Sequence, residues 1–257
     1  SLPSVATRKL NADWTASSGT TESVSEGISL LGGNIDVDKE MVQGNQTVED
    51  IRKYQQRLKL KAMAYSFNNS FVNGLITTTP DDFDGLKARC DRSDMTAQKI
   101  LSGTSTNYID DTQAHALTFL KEMDELTYAI DGHSPTCYFT NDIGLRTINS
   151  ALRIAGVLRT DKDQFGQLVT MWGNAPIYDM GVKADQSTKI MADETIAGIA
   201  GSNYFSIYAM KIGVGTDFWG IQKHKLEAED VGLLESRTTY RTSVSWPVGL
   251  AQINKRA

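Results

Sequence analysis

The sequence predicts an α+β fold, because helical and strand patterns occupy separate stretches of the chain instead of alternating regularly. The clearest helical pattern begins at Thr47, and the clearest strand pattern runs from Arg237 to Trp246. The chain has 257 residues, of which 40% are hydrophobic and 22% are charged. That composition is typical of a folded chain with a real hydrophobic core, arranged as one large domain or two small ones.

The first 46 residues are an unusual start for a globular protein. A stretch rich in Ser, Thr and Gly between Trp14 and Ser23 is followed by short apolar runs around Leu30 and Val37. This pattern predicts a two-stranded β-hairpin arm with a polar tip. Because an isolated hairpin is only marginally stable in water, the arm must dock either on its own domain or on a neighbouring subunit.

A long helix is predicted from Thr47 to about Asn73, where Asn73-Gly74 supplies a stop signal. Thr47 and Asp50 resemble a capping box, and at 1.5 Å per residue the helix would be about 40 Å long. Its predicted apolar stripe is Val48, Ile51, Leu58, Ala62, Tyr65 and Val72. Its basic residues predict either a solvated face or a contact surface for phosphate or a partner's acids. They are Arg52, Lys53, Arg57, Lys59 and Lys61.

The middle of the chain predicts two further helices around a short strand at 136–139. The first helix would begin at Asp110 or Asp111 and end near Ala129, and the second is capped by Asn141. Their apolar faces repeat at helical spacing. The first face is Ala116, Phe119, Leu120, Met123, Leu126 and Ile130, and the second is Leu145, Ile148, Leu152 and Ala155.

The second half of the chain is predicted to be rich in strands. Candidate strands cover 175–178, 204–212 and 218–222, and the segment from 237 to 246 alternates between two faces over ten residues. Pro247 and Gly249 are predicted to end that last strand.

The residue inventory predicts no catalytic, cofactor or metal site. His115, His133 and His224 stand in no metal-binding spacing, and Cys90 and Cys137 match neither a zinc motif nor a redox pair. Phosphate-binding loops and nucleophile elbows are absent from the sequence, as are a secretory signal and an apolar run of ~18 residues. A net charge of −5 is not typical of a nucleic-acid reader, although it is compatible with a protein that encloses DNA without gripping it.

The order of these elements resembles the Hong-Kong-97-type capsid fold of tailed-bacteriophage major capsid proteins. Four segments carry the resemblance: the arm's return at 30–38, the stretch at 83–86 after the long helix, the Gly-x-x-Pro-Ile strand at 173–179, and the exit of the last strand at 245–250. The family resemblance spans nearly the whole chain. It implies an extended β-hairpin loop, a long spine helix, and peripheral and axial domains.

Carried over to this chain, the resemblance divides it into four parts. Residues 1–46 would be the extended loop (E-loop) and its base, 47–110 the peripheral domain with the spine helix, 111–228 the axial domain, and 229–257 the return strand of the peripheral domain. The chain begins at Ser1 without a preceding scaffolding segment. Maturation cleavage would explain that start, and a shortened chain would explain it equally.

The function implied by the resemblance is that of a major capsid protein. Pentamers and hexamers would build an icosahedral shell around the double-stranded DNA genome, without sequence readout, cofactor or membrane. Further partners would be the portal protein and scaffold or decoration proteins, with assembly in the host cytoplasm and a final location in the virion. The alternatives are an encapsulin-like cellular compartment shell and, from another class, a soluble α+β enzyme.

The arm has two features that bear on assembly. No lysine lies between Leu10 and Asp38, so we expect no covalent cross-link through the arm of the kind that some family members form. The same stretch is acidic and contains no arginine, so we expect the arm to meet basic groups on the long helix of an adjacent subunit. The hypothesised contact residues are Trp14, Glu22 and Glu26 on the arm and Arg52, Lys53 and Arg57 on the helix.

Overall fold

The computed structural model describes residues 3–20, 23, 25–44, 50–100, 112–162, 166–194, 204–235 and 237–257. The α-helices in these ranges are α1 (Lys39–Gly44), α2 (Ile51–Asn73), α3 (Leu86–Cys90), α4 (Gln113–Ala129) and α5 (Asp142–Ile154). The strands are β1 (Ser29–Asp38), β2 (Cys137–Thr140), β3 (Arg159–Lys162), β4 (Leu168–Trp172), β5 (Ala175–Asp179), β6 (Tyr208–Met210), β7 (Phe218–Gln222), β8 (Glu227–Leu233) and β9 (Thr239–Gln252). The predicted α+β mixture of helices and strands is confirmed.

The first sheet is built around β9. Strand β1 pairs with β9 in antiparallel fashion along its whole length, from Ser29 opposite Val248 to Asp38 opposite Thr239. On the other flank of β9, β8 and β7 pair one after the other. Because β9 is 14 residues long, it holds together strands that are far apart in the sequence.

Strand β9 runs through Pro247 and Gly249, so the prediction that these residues end it is wrong. The flanking partners change at this point, since β8 pairs as far as Ser245 and β7 resumes at Val248. The Pro247 carbonyl accepts the Lys223 N–H at 3.3 Å, just beyond the end of β7. In an antiparallel pair, the N–H and the C=O of one residue point towards the same neighbouring strand. The N–H that proline lacks at position 247 would therefore point into the gap between β8 and β7.

The second sheet has the strand order β3-β4-β5-β2-β6, with β2 and β5 parallel. Helices α4 and α5 supply its hydrophobic core, and both apolar faces predicted for them pack there or beside it. The predicted cap is also confirmed, because Asn141 Oδ1 accepts the Gly144 N–H at 2.8 Å. Helix α4 has Thr112 at its N-cap, and Asp110 and Asp111 lie outside the described residues.

Helix α2 packs against the body through a face that overlaps the predicted apolar stripe in part. It begins at Ile51 after Asp50, whose carboxylate accepts the Arg52 N–H, and its 23 residues span about 34 Å. Met63, Phe67 and Phe71 point towards the body, whereas Leu58 of the predicted stripe is 43% exposed. Of the predicted stripe, Ile51 and Val72 pack in the hydrophobic clusters, Ala62 is exposed like Leu58, and Val48 falls outside the described residues.

The arm differs from the predicted β-hairpin. The described residues before Ser29 form no strand, although the chain does fold back on itself: Ala12 N–H bonds to Lys9 O, and Ser17 Oγ bonds to Ser4 O at 2.7 Å. The predicted return strand is β1, and its partner is β9. Pairing with β9 buries Ile35 and Val37 against α2, a gain that the polar residues of the arm do not offer.

The two sheets also differ in detail from the predicted strands. Of the predicted strand 204–212, only β6 forms. Strand β7 falls within the range assigned to the axial domain, yet it pairs with β9 in the first sheet. The boundary predicted near residue 228 therefore does not separate the two sheets, because sheet pairing brings together segments on both sides of it.

Candidate subunit-contact surfaces

The folded-back arm exposes large apolar side chains. Val5 is 95% exposed, Leu10 at the turn is 91% exposed, and Trp14 is 60% exposed. The Arg8 guanidinium lies 5.5 Å from the centre of the Trp14 ring and also donates to Ala12 O at 3.0 Å. The arm is thus shaped by contacts within itself and presents apolar groups that water solvates poorly.

The base of the arm, in contrast, is tied firmly to the body. Glu26 accepts hydrogen bonds from both terminal nitrogens of Arg89, at 2.7 and 2.8 Å. The Arg89 side chain is only 3% exposed and also donates to the backbone carbonyls of Asp84 and Leu250. Its guanidinium lies 5.8 Å from the centre of the Phe218 ring. A bidentate pair with a buried arginine holds both partners in one geometry.

A close backbone contact lies beside this ion pair. A Cβ atom added to Gly249 of β9 would come within 2.4 Å of the carbonyl oxygen of Gly27. Glycine is therefore needed inside the strand, so that the base of the arm can lie against it. Ser29 adds a hydrogen bond from its hydroxyl to Asp81 O at 2.6 Å.

A second surface, the outward face of α2, consists of the exposed Tyr54, Leu58 and Ala62 and the half-buried Tyr65, with the basic residues Lys53, Arg57 and Lys61 beside them. Tyr54 is 47% exposed, and the Lys61 ammonium lies 5.8 Å from the centre of the Tyr65 ring. The apolar members recur every three or four residues and so share one side of the helix. The surface combines an apolar stripe with positive charge, which suits an acidic, partly apolar segment.

The hypothesised contact residues lie in different environments. Arg52 forms an ion pair with Asp230 and donates to Thr242 Oγ1 at 3.3 Å, and its guanidinium lies 5.1 Å from the Tyr240 ring centre. The Arg52 hydrogen bond lowers the pKa of the Asp230 carboxyl group. Lys53 and Arg57 are exposed on α2, Trp14 is exposed on the arm, and Glu22 lies outside the described residues.

The structure does not bring Glu26 and Arg52 together within one chain. Glu26 pairs with Arg89 and Arg52 pairs with Asp230, so both carry out tasks inside the subunit. Arg89 was missed by the sequence reasoning. It stands in a short, weakly patterned segment, and no sequence signal distinguishes a buried arginine from the exposed arginines around it.

A cavity of about 310 Å³ lies between α2 and the second sheet. Its lining is mainly aromatic: Phe67, Asn68, Phe71, Phe139, Tyr178, Asp179 and Met180. Asp179 is the one carboxylate in this lining, and it accepts the Gly181 N–H at 2.9 Å. This lining offers no pairing of a nucleophile with a base.

The described part of the chain contains neither a metal-binding cluster nor a membrane-spanning helix. Among those residues, no three His, Cys, Asp or Glu side chains are grouped so that they could hold a metal ion. No helix formed by them combines the length and the apolar character that a membrane crossing requires.

The comparison with protein families gives a match over residues 1–128, about half of the chain, to the family described as major capsid protein GP7. The chain belongs to the major capsid proteins. Membership identifies this capsid protein as a structural component of a viral shell and not as an enzyme. No curated protein sequence matches the chain.

Solved structures place the capsid protein in the Hong-Kong-97-type fold. The capsid of the native GTA particle has a TM-score of 0.60 at 11% identity, covering 99% of this chain and 79% of that one. Mycobacterium phage Cain has a TM-score of 0.52 at 11% identity, covering 98% and 76%. The holo-SrpI encapsulin of Synechococcus elongatus PCC 7942 has a TM-score of 0.62 at 15% identity, covering 90% and 71%. These similarities confirm the predicted fold, and the family match favours the phage capsid over the encapsulin.

Proposed function

We propose that this capsid protein assembles into pentamers and hexamers, and that these close into an icosahedral shell around double-stranded DNA. The observation that carries the proposal is the contrast within the arm, whose base is fixed by buried contacts while Val5, Leu10 and Trp14 are exposed. Such apolar groups are stabilised when another copy of the chain covers them. Many weak contacts repeated over a closed shell then add up to a strong one.

The partner surface that we propose for the arm is the outward face of α2 on an adjacent subunit. Leu10 and Trp14 would cover Tyr54 and Leu58, which are about half exposed. The acidic residues of the arm, including Asp13 and Glu22, would face the basic residues of the helix. Charge complementarity would then set the register of the contact, with the apolar groups contributing most of its stability.

We further propose that the parts of the subunit correspond to the domains of the family. The arm and its base, residues 1–46, would be the extended loop, and α2 with the first sheet would form the peripheral domain. The second sheet with α4 and α5 would form the axial domain that surrounds the ring centres. The DNA would be contained without sequence readout, as a net charge of −5 suits, and the portal and any scaffold or decoration proteins would bind during assembly in the host cytoplasm.

Negative-stain electron microscopy of the purified full chain tests the proposal. We expect uniform icosahedral particles from the wild type and from the control variant K223E/K225E, which changes two lysines of the turn after β7. The variant K53E/R57E makes the same charge change on α2 and should remain as monomers or small rings. Particles from K53E/R57E that match the wild type would exclude the charged contact, and monomers of the wild type at all concentrations would contradict self-assembly.

The encapsulin-like alternative predicts shells with different contents. A phage capsid isolated from infected cells should contain DNA, which raises its absorbance at 260 nm relative to 280 nm. An encapsulin-like shell should contain protein cargo and little nucleic acid. Nuclease-resistant DNA in the particles would therefore decide for the phage capsid.

A further inference from the structure

The positive charge of the buried Arg89 is balanced by a single carboxylate, that of Glu26. Arginine is a permanent cation in proteins, and the Arg89 side chain is only 3% exposed, whereas that of Glu26 is 20% exposed. Two of its partners are neutral backbone carbonyls, and Glu26 supplies the opposite charge through both of its oxygens. If the base of the arm moved away, the body would retain a buried cation without its counter-charge, which is strongly unfavourable.

The two ends of the arm therefore differ in the freedom that the subunit gives them. Around Glu26 the chain is held by the ion pair, by the close approach of Gly27 to Gly249 and by the bond from Ser29 to Asp81. Around Leu10 the described bonds join the arm only to itself. The direction in which the arm leaves the body is thus set near Glu26.

We propose that the Glu26–Arg89 pair is an anchor that aims the arm at the neighbouring subunit, so that Arg89 acts as a positioning residue for assembly. This inference rests on the proposed function and adds the residues that orient its contact. Arg89 touches β9 through Leu250 and the segment after α2 through Asp84. The anchor therefore couples the direction of the arm to the two elements that form the centre of the body.

The chain contains a matched control for this anchor. Arg241 and Asp36 also form a bidentate pair, with bonds of 2.6 and 2.7 Å, and they join β1 to β9. Their side chains are 29% and 30% exposed, so water can replace either partner. Loss of this pair should affect neither the arm nor assembly.

The first experiment measures the anchor in unassembled subunits by hydrogen–deuterium exchange of the full chain. The double variant E26M/R89M replaces both charges with apolar groups of similar length, so that no buried charge is left unpaired and the body stays folded. We expect amide exchange in residues 25–29 to rise at least tenfold, while exchange in β9 stays unchanged. E26Q should give the same local increase with a lower Tm. The control D36N should leave residues 25–29 unchanged, and wild-type exchange rates in E26M/R89M would overturn the proposal.

The second experiment measures the threshold concentration for shell formation by light scattering. E26M/R89M should require at least a tenfold higher concentration than the wild type or form aberrant particles, whereas D36N should match the wild type. Shells of normal size and threshold from E26M/R89M would overturn the positioning role. If the wild type itself formed no shells, self-assembly would be contradicted, whereas the exchange experiment would still decide whether the anchor exists.

Discussion

The arm and the body of this subunit use similar apolar side chains in opposite environments. Val5 and Leu10 of the arm are almost completely exposed, whereas Tyr138 and Ile148 of the body are completely buried. The body completes its hydrophobic core within one chain, with α4, α5 and the second sheet enclosing it. The apolar side chains of the arm are not enclosed within the single chain. The difference indicates that the body is complete as a folded subunit, whereas the arm needs a neighbouring chain to bury its apolar groups.

The largest difference between the two regions should appear in stability. Leu152 of α5 is fully buried, so Leu152→Ala should lower the free energy of unfolding by about 3 kcal/mol through lost burial and a residual cavity. The same change at Leu10 should alter it by less than about 0.5 kcal/mol. Denaturant unfolding below the assembly threshold measures both. Equal effects would mean that the arm packs on its own body in solution.

In assembly, by contrast, substitutions in the arm should have a larger effect than substitutions on the exposed surface of the body. A buried tryptophan at an interface typically contributes about 2 kcal/mol or more, so L10A/W14A should raise the threshold concentration for shells about thirtyfold. Val214 is also highly exposed but lies in a turn of the body, so V214A serves as the control and should leave the threshold unchanged. An unchanged threshold in L10A/W14A would show that the arm is not a contact surface.

The arm should contribute to the shell without covalent bonds. It contains no lysine between Leu10 and Asp38 that could form an isopeptide cross-link. Mature particles boiled in denaturant should therefore run on a gel as a single band at the mass of one subunit. A ladder of covalent multimers would contradict this prediction.

The smallest expected effect is the labelling of the two cysteine thiols, which measures how well the folded body shields them from solvent. Burial raises the pKa of the Cys137 thiol to about 11, and burial also raises the pKa of the Cys90 thiol. Both groups then stay protonated at pH 8, so iodoacetamide should modify neither in the native subunit during a reaction time that labels both in guanidinium chloride. Mass spectrometry measures the adducts. Rapid native labelling of Cys137 would mean that the body opens more readily than its packing indicates.

Sequence patterns predicted the elements whose residues repeat at a regular spacing. The face of α5 and its Asn141 cap were found because helical periodicity and capping depend on residues close together in the chain. The apolar stripe of α2 was found in part, since Ile51 and Val72 pack inward whereas Leu58 and Ala62 are exposed. A pattern shows that side chains share a face, and only the packing of α2 on the first sheet shows which face is buried.

The candidate contact site between subunits stays a prediction. Trp14, Lys53 and Arg57 are exposed as a contact surface requires, whereas Glu26 and Arg52 have partners within the chain. The partners are 63 and 178 residues away in sequence, and no local pattern encodes pairing over that distance.

By itself, the sequence determined the separation of helices from strands, the apolar faces of α4 and α5, and an arm ahead of a long helix with no lysine between Leu10 and Asp38. These features follow from neighbouring residues, whose spacing and chemistry act locally. Only the tertiary structure decided that β1 pairs with β9, that Pro247 lies inside a strand, and that Arg89 anchors the arm through Glu26. Each of these depends on which distant segment lies alongside, and that choice is made by the burial of apolar surface and the pairing of polar groups in the whole fold.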